Sequence, residues 1–462
     1  MVFSSPVFLY GFLPTVLALY YLSPRRLRNS VLFLCSLFFY AWGEPVYVFL
    51  MLFSILTAYL SGFPIAKYRR EHPKLARALM WLSVGLNLLA LFFFKYWNFT
   101  AENLGLPTVE GLLLPIGISF YTFQILSYTV DLYREEIPLQ KSFVSFGTYV
   151  TLFPQLVAGP IVRYREVDDA LTHRRESLSE FAAGVQRFCC GLGKKVLIGD
   201  ALWAGHRYFQ QLAAFTPTAL GAWLNVILYT LHLYFDFSGY SDMAIGLGQM
   251  LGFSFPENFK YPYISQSITE FWRRWHITLS SWFREYVYIP LGGNRRGGLI
   301  KIRNLAVVWV LTGVWHGAAW NFVLWGVYFF VILTCEHLFL KRVLEKLPRP
   351  FRHVYTLLLV VLGFLIFSNS DLGAATACLG QMVGIGTVGF STPVVRYQLW
   401  RLLPLLVIAA VGATPLPRLL WDRAQKKAWQ KNTAAVAAAA LLVACTAYLV
   451  SDSFCPFAYL NF

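Results

Sequence analysis

A chain of 462 residues that is 57% hydrophobic, 18% aromatic and only 13% charged, with mean hydropathy +0.54, does not read as a soluble protein. Such values belong to polytopic membrane proteins, whose spans are runs of about 20 apolar residues. The net charge of +16 does not call for nucleic acid, because Lys and Arg collect in short loops between apolar runs, as the positive-inside rule requires. The seven cysteines are scattered and form no CxxC pair, so neither a metal site nor a disulfide framework is expected. A bundle in lipid need not divide as a long soluble chain does, and one domain over residues 1–462 is expected.

The first apolar run, Pro6 to Leu22, lacks a basic leader and a cleavage site, and reads as a retained span. Arg25, Arg26 and Arg28 follow it, which places this loop in the cytoplasm and the N-terminus outside. Val31 to Gly62 is long enough for two spans, with a turn at Gly43-Glu44-Pro45. The next loop is basic again, through Lys67, Arg69, Arg70, Lys74 and Arg77. Ala78 to Tyr96 then crosses outward, and Gly111 to Val130 returns. Phe143 to Val162 is apolar but interrupted by Pro154, Gly159 and Pro160, with basic residues on both flanks. That pattern predicts a segment that dips into the membrane and comes back, which irregular backbone survives only inside protein or along a wet cavity.

Lys194 and Lys195 precede a further apolar stretch, and Leu220 to Phe253 carries Tyr234-Phe-Asp-Phe-Ser-Gly-Tyr-Ser-Asp242. Ser267 to Tyr286 reads as one amphipathic helix. It opens on a capping box at Ser267 and Glu270, and Phe271, Trp272, Trp275, Leu279, Trp282 and Phe283 form its apolar stripe. Leu305 to Thr334 is a long apolar run with basic residues on both sides, which predicts a hairpin with Gly317 near its tip. Arms of about 15 residues would rise roughly 22 Å, short of a hydrocarbon core of about 30 Å. His353 to Phe367, Leu399 to Leu416 and Ala434 to Val450 complete the spans, with a basic cytoplasmic loop at Arg418 to Lys431 and an external C-terminus.

Polar groups set into such apolar sequence are expensive and read as functional by default. His316 lies deep in its apolar run beside Trp315, with Trp320 and Trp325 close by. Its two readings are a buried neutral histidine bonded to a carbonyl, and a general base that takes a proton from an alcohol. His276, taken alone, reads as structural. Asp236 and Asp242 must be paired or hydrogen-bonded, and could orient a histidine, hold a cation or lock helices together. His232, four residues before Asp236, reads as a simple structural pair with it. Ser238 and Ser241 raise a serine-nucleophile reading, but the Gly-x-Ser-x-Gly elbow is absent.

Several pieces occur together and in order. They are Leu114-Pro-Ile-Gly-Ile-Ser-Phe-Tyr121, Ala158-Gly-Pro160, the Tyr234 to Asp242 segment, Glu257-Asn-Phe259, Phe271-Trp-Arg-Arg-Trp-His276, Leu291-Gly-Gly-Asn-Arg295 and Trp315-His-Gly317. As a set they resemble the membrane-bound O-acyltransferase superfamily, and within it the bacterial alginate O-acetyltransferase branch, whose relatives include teichoic acid D-alanyl transfer proteins. The resemblance covers nearly the whole chain. The tail, with Ala458, Leu460 and Asn461, departs from the pattern.

The resemblance implies an all-α polytopic bundle of about ten to twelve membrane helices, with short or re-entrant helices around a thinned centre and a funnel opening outside. It implies that His316 is the catalytic histidine and His276 the second motif histidine, with Trp315, Gly317, Asp236, Asp242 and Ser238 in support. It further implies transfer of an acyl group, acetyl in the nearest branch, from a cytoplasmic thioester such as acetyl-CoA to an extracytoplasmic glycan. No bound cofactor or metal is expected, an external acetyltransferase partner protein is, and the location is a bacterial cytoplasmic membrane. Arg273, Arg274, Arg295 and Arg296 are the candidates for drawing the donor's phosphates to the cytoplasmic mouth. The alternative in a different class is a transporter or flippase for a lipid-linked glycan or acyl carrier, without chemistry.

Overall fold

A computed structural model of the chain describes residues 1–294, 297–424 and 431–451, and among these there is no strand. Arg295, Arg296 and the tail carrying Ala458, Leu460 and Asn461 lie outside the described residues. The helices in chain order begin with α1 (Leu13–Leu22), α2 (Arg28–Ala41), α3 (Tyr47–Tyr68), α4 (Pro73–Leu104) and α5 (Ile118–Tyr133). Then come α6 (Phe143–Thr151), α7 (Phe153–Leu156), α8 (Tyr164–His173), α9 (Leu178–Gly193), α10 (Asp200–Ala213) and α11 (Ala219–Met250). The motif region contributes α12 (Ile268–Arg274), α13 (Ile277–Phe283), α14 (Gly298–His316) and α15 (Trp320–Cys335). The chain closes with α16 (Lys341–Lys346), α17 (Arg349–Ser368), α18 (Leu372–Met382), α19 (Pro393–Gly412), α20 (Leu416–Ala424) and α21 (Lys431–Ser451).

Among the described residues, seven helices are long and apolar enough to cross a membrane, and Val7–Leu22 is a shorter apolar helix. This is a multi-pass membrane protein. The lower end of the expected ten to twelve is reached only by adding α5 and α11, whose residues are mostly buried in protein.

The chain condenses into two compact units. One is formed by Met1–Cys189 and Tyr240–Pro256 with residues 449–451, the other by Cys190–Gly239 and Glu257–Tyr448. Helices α9 and α11 each contribute residues to both.

In the first unit, α2 and α3 are separated at the expected Gly43-Glu44-Pro45 turn. Pro73 sits in the first turn of α4, where its missing N–H costs nothing, and Gly105 ends that helix in the left-handed conformation at φ 66°. The expected re-entrant segment is two short helices, α6 and α7, broken at Leu152 with Pro154 in the first turn of α7. Every residue from 145 to 162 is buried, which meets the requirement that irregular backbone be enclosed by protein.

In the second unit, α14 and α15 form the predicted hairpin, with the turn at Gly317. The arms differ from expectation. They hold 19 and 16 residues, and a π-helical turn, Glu336–Leu340, prolongs the second. A helix of that first length rises about 28 Å, close to the full hydrocarbon thickness. The first arm is longer because α14 begins at Gly298, ahead of the apolar run, and takes in the polar Lys301, Arg303 and Asn304. Helix α17 packs on α15 and on α12, so the hairpin, α17 and the motif helix share one core.

Candidate active site

The Phe271-Trp-Arg-Arg-Trp-His276 motif does not lie on one helix, as its spacing suggested. Ser267 accepts from the Glu270 N–H at 3.0 Å and so caps α12 as expected, while the Glu270 carboxylate accepts from the Gln266 N–H at 2.9 Å. Seven residues later the helix stops. Trp275 is extended and His276 stands in the left-handed region at φ 46°, ψ 53°, before α13 begins at Ile277. A non-glycine residue there is uncommon, and strain of this kind collects at functional sites. The break is held by residues 258–260: the Lys260 N–H donates to the Arg274 carbonyl at 2.9 Å, and the Ile277 N–H to the Asn258 carbonyl at 3.0 Å. The periodicity hid the break because the stripes of α12 and α13 continue one another. Nor does the stripe lie at a surface: Phe271, Trp272, Trp275, Leu279, Trp282 and Phe283 are all buried.

His316 is the last residue of α14 and is buried against rings. Its imidazole meets Trp325 edge-on at 5.0 Å between centroids and Phe367 at 5.3 Å. The Trp315 ring lies 5.0 Å from His316 and 6.1 Å from His276, so one indole touches both histidines. Gly317 is extended, and a Cβ there would run into the Phe322 ring. Only glycine lets the turn close directly behind His316.

Both histidines line one cavity of about 280 Å³. Its long wall is a single face of α14: Leu305, Val308, Trp309, Thr312 and His316. At about 1.5 Å rise per residue, this face carries the cavity some 16 Å from Leu305 to His316. The opposite wall is the broken helix, with Thr269, Trp272, Arg273 and His276 on α12 and its end, then Leu279, Phe283 and Arg284. Burial disfavours the charged form of His276 and pulls its pKa down to about 3, so the ring is neutral at physiological pH.

The four arginines singled out as donor-side candidates separate. Arg273 is exposed and lines the cavity. Arg274 does not; its guanidinium is committed to Glu270 at 2.9 Å and to the Lys260 carbonyl at 3.1 Å. Arg295 and Arg296 fall outside the described residues. Arg284, directly after α13, joins Arg273 at the cavity.

The acidic segment of α11 reaches the site through an apolar residue. The Phe237 ring meets His276 edge-on at 4.8 Å. Asp236 is instead bound to Lys195 at 3.3 Å, and Lys195 pairs also with Asp200, all three side chains being buried. Lys195, which in the sequence only precedes an apolar stretch, stands in a π-helical turn, Lys194–Gly199, that runs on from α9. Asp242 is held in the first unit by Arg187 of α9, at 2.9 Å. Ser238 is buried in the second unit. His232 donates from Nδ1 to the Gly199 carbonyl at 2.9 Å. Of the readings open for the two aspartates, locking neighbouring helical segments is the one these bonds match.

Removing the ammonium from such a cluster leaves buried carboxylates without their shared cation. Lys195→Ala is therefore expected to destabilise the protein by about 3–5 kcal/mol. Asp236→Asn, which keeps a hydrogen-bonding group and leaves Asp200 in place, should cost less. Thermal unfolding of the purified protein tests this, and equal melting temperatures for Lys195→Ala and the parent would refute it.

Two residues that position the site were not singled out from the sequence. Asn258 is fully buried, and its side-chain oxygen lies 3.2 Å from His276 Nδ1 and 3.0 Å from Thr278 Oγ1. Its signal was present, since it sits in the quoted Glu257-Asn-Phe piece, but nothing in the spacing tied it to a residue so far along the chain. Glu336 is buried at the end of α15 and accepts from the Ile268 and Thr269 N–H groups at 2.7 and 2.8 Å, from Thr269 Oγ1 at 2.6 Å and from the Tyr355 hydroxyl at 3.2 Å. One carboxylate thus ties the start of α12 to α15 and α17. Its signal was a lone acid closing a long apolar run.

The comparisons with known proteins agree with this architecture. The model of the membrane-bound O-acyltransferase family matches residues 84–370, which include the broken motif helix and the hairpin. The chain is 45% identical over 401 residues to a probable alginate O-acetylase, AlgI, of Azotobacter vinelandii, covering 84% of this chain and 79% of the relative. It is 34% identical to the peptidoglycan O-acetyltransferase of Helicobacter pylori, over 84% of this chain and 81% of that protein. It is 32% identical to the teichoic acid D-alanyltransferase of Bacillus subtilis, over 61% of this chain and 76% of that protein. With a helical membrane fold and two motif histidines on one cavity, the chain belongs to the membrane-bound O-acyltransferase family and is an O-acyltransferase.

Proposed function

We propose that the protein moves an acetyl group from a cytoplasmic thioester, acetyl-CoA being the simplest, to a hydroxyl of an extracytoplasmic polysaccharide or cell-wall glycan, either directly or through an external partner protein. The observation that carries this reading is that His316 and His276 wall the same cavity, which Arg273 and Arg284 also line. Neutral imidazole at His316 takes the proton of the acceptor hydroxyl as its oxygen attacks the thioester carbonyl. The carbon–sulfur bond breaks, and the departing thiolate recovers the proton. A cavity of about 280 Å³ is at the low end of ligand sites, which run from about 300 to 1,000 Å³. It suits an acyl thioester arm and not a whole nucleotide-bearing donor, whose phosphates the two exposed arginines would hold at the mouth. The names of the relatives, with alginate, peptidoglycan and teichoic acid, support a glycan acceptor.

The reading extends to place and organisation. The setting is a bacterial cytoplasmic membrane, with the basic loops inside. The two units act as one functional domain, which the continuity of α9 and α11 through both supports. Mass spectrometry of the surface glycan tests the function: deletion of the gene is expected to remove ester-linked acetyl while polymer length and export persist. Loss of export with acetylation intact on the retained polymer would sink the proposal and favour a transporter.

His276 has the lesser role in this scheme. His276→Ala is expected to lower turnover by about 10- to 100-fold and leave measurable transfer, below the full worth of a general base. A dead His276→Ala beside an active His316→Ala would exchange the two assignments.

A further inference from the structure

Asn258 meets three groups through one atom. Its side-chain Oδ1 lies 3.3 Å from the Thr278 backbone nitrogen, 3.0 Å from Thr278 Oγ1 and 3.2 Å from His276 Nδ1. A backbone N–H can only donate, so the atom that faces it must be the carboxamide oxygen and not the nitrogen. A carboxamide oxygen can only accept, so His276 Nδ1 must carry the hydrogen in this bond. A neutral imidazole has one N–H, which leaves Nε2 as the nitrogen with the lone pair. The backbone reinforces the arrangement. The Asn258 carbonyl takes the Ile277 N–H at 3.0 Å, so the same residue fixes both the left-handed turn at His276 and the ring it presents.

We propose that Asn258 is the positioning residue of His276, holding it as the Nδ1–H tautomer so that Nε2 is the nitrogen able to accept a hydrogen bond or a proton. This rests on the reading of the cavity as the acyl-transfer site and adds to it which nitrogen of His276 does the work. An acceptor nitrogen steers the hydroxyl of an incoming acceptor, whereas an N–H there would steer a carbonyl. The charged and titratable groups that share the cavity with His276 are Arg273, Arg284 and His316, with Tyr288 further along. Phe237 and Trp315 pack on the ring and carry no charge.

The experiment substitutes Asn258 by Asp and by Leu in the full-length protein and follows His276 by deuterium exchange at the imidazole C2 position, read by peptide mass spectrometry across pH. That readout does not depend on turnover. A carboxylate in place of the carboxamide still accepts from Nδ1–H and stabilises the imidazolium, so N258D is expected to move the His276 midpoint upward by about 1–2 pH units. N258L removes the acceptor and is expected to lower transfer at least tenfold without that upward shift, with partial rescue in N258D. A His276 midpoint in N258D that stays at or below the parent value overturns the proposal. So does equal loss of transfer in N258L and N258D with no difference between their His276 titrations. The functional reading is judged separately, by transfer in H316A, so its failure and the failure of this inference cannot be confused.

Discussion

Replacing His316 by alanine is expected to reduce acyl transfer by a factor of about 10² to 10⁴, the usual worth of a general acid–base group, while the protein still reaches the membrane folded. The loss follows from position. His316 closes α14, and at the helical rise it stands about 20 Å along the axis from Arg303, the last charged residue before the apolar stretch. Along that length the cavity wall offers Leu305, Val308, Trp309 and Thr312, none of which can take a proton near neutral pH. The survival of the fold follows from the same geometry. The His316 ring is packed among Trp315, Trp325 and Phe367, but it also borders space, so its loss enlarges an existing cavity more than it opens a new one. The backbone turn behind it depends on Gly317 and Phe322, which the substitution leaves alone. The decisive measurement is transfer of labelled acetyl to glycan alongside melting temperature and membrane abundance. Transfer within a few-fold of the parent would remove His316 from the chemistry. Lost transfer with an equally lost fold would assign it a structural part instead.

Much of this architecture was legible because its causes are local. Runs of apolar residues bounded by arginines gave the spans, and two basic flanks around one long run gave the hairpin with Gly317 at its tip. Pro154, Gly159 and Pro160 gave the broken segment now seen as α6 and α7. What was not legible depends on partners far apart in sequence. The break at His276 is imposed by residues 258–260, and a stripe that continues from one helix into the next conceals it. Lys195 looks like an ordinary flank of an apolar stretch until Asp200 and Asp236 are brought around it. Asp236 and Asp242 left open whether they orient a histidine, hold a cation or lock helices, and their ion pairs with Lys195 and Arg187 match the last of these. Arg284 lines the cavity and Arg274 does not, a difference that helical spacing alone does not carry.

The largest effect expected away from the histidines is at Gly313 and Gly326, two glycines inside apolar runs with no signal in the sequence. They sit on facing positions of the two arms: a Cβ built on either one comes within 3.4 Å of the other's Cα. A Cβ at Gly313 would strike the Phe322 carbonyl oxygen, and one at Gly326 the Trp309 carbonyl oxygen, both well inside the 3.0 Å that real Cβ atoms essentially never breach. The obstacle is backbone on the facing helix, which cannot rotate aside as a side chain would. This is how small residues let membrane helices approach closely. Gly313→Ala and Gly326→Ala must therefore push α14 and α15 apart. Alanine's better helix propensity, about 1 kcal/mol over glycine, offsets only part of an overpacking cost of about 1–3 kcal/mol. Activity should suffer more than stability, because Trp309 and His316 lie on the arm that moves, and a displacement near 1 Å can cost about 100-fold in rate. Each variant is expected to lose about 10- to 100-fold in transfer with a modest fall in melting temperature. The double variant should lose little more than the worse single one, since an opened hairpin no longer presents the second clash. Gly85→Ala on α4, where an added Cβ meets nothing within 4 Å, is the control and should be neutral. Wild-type transfer and stability in both Gly313→Ala and Gly326→Ala would show that the two arms can part without moving His316.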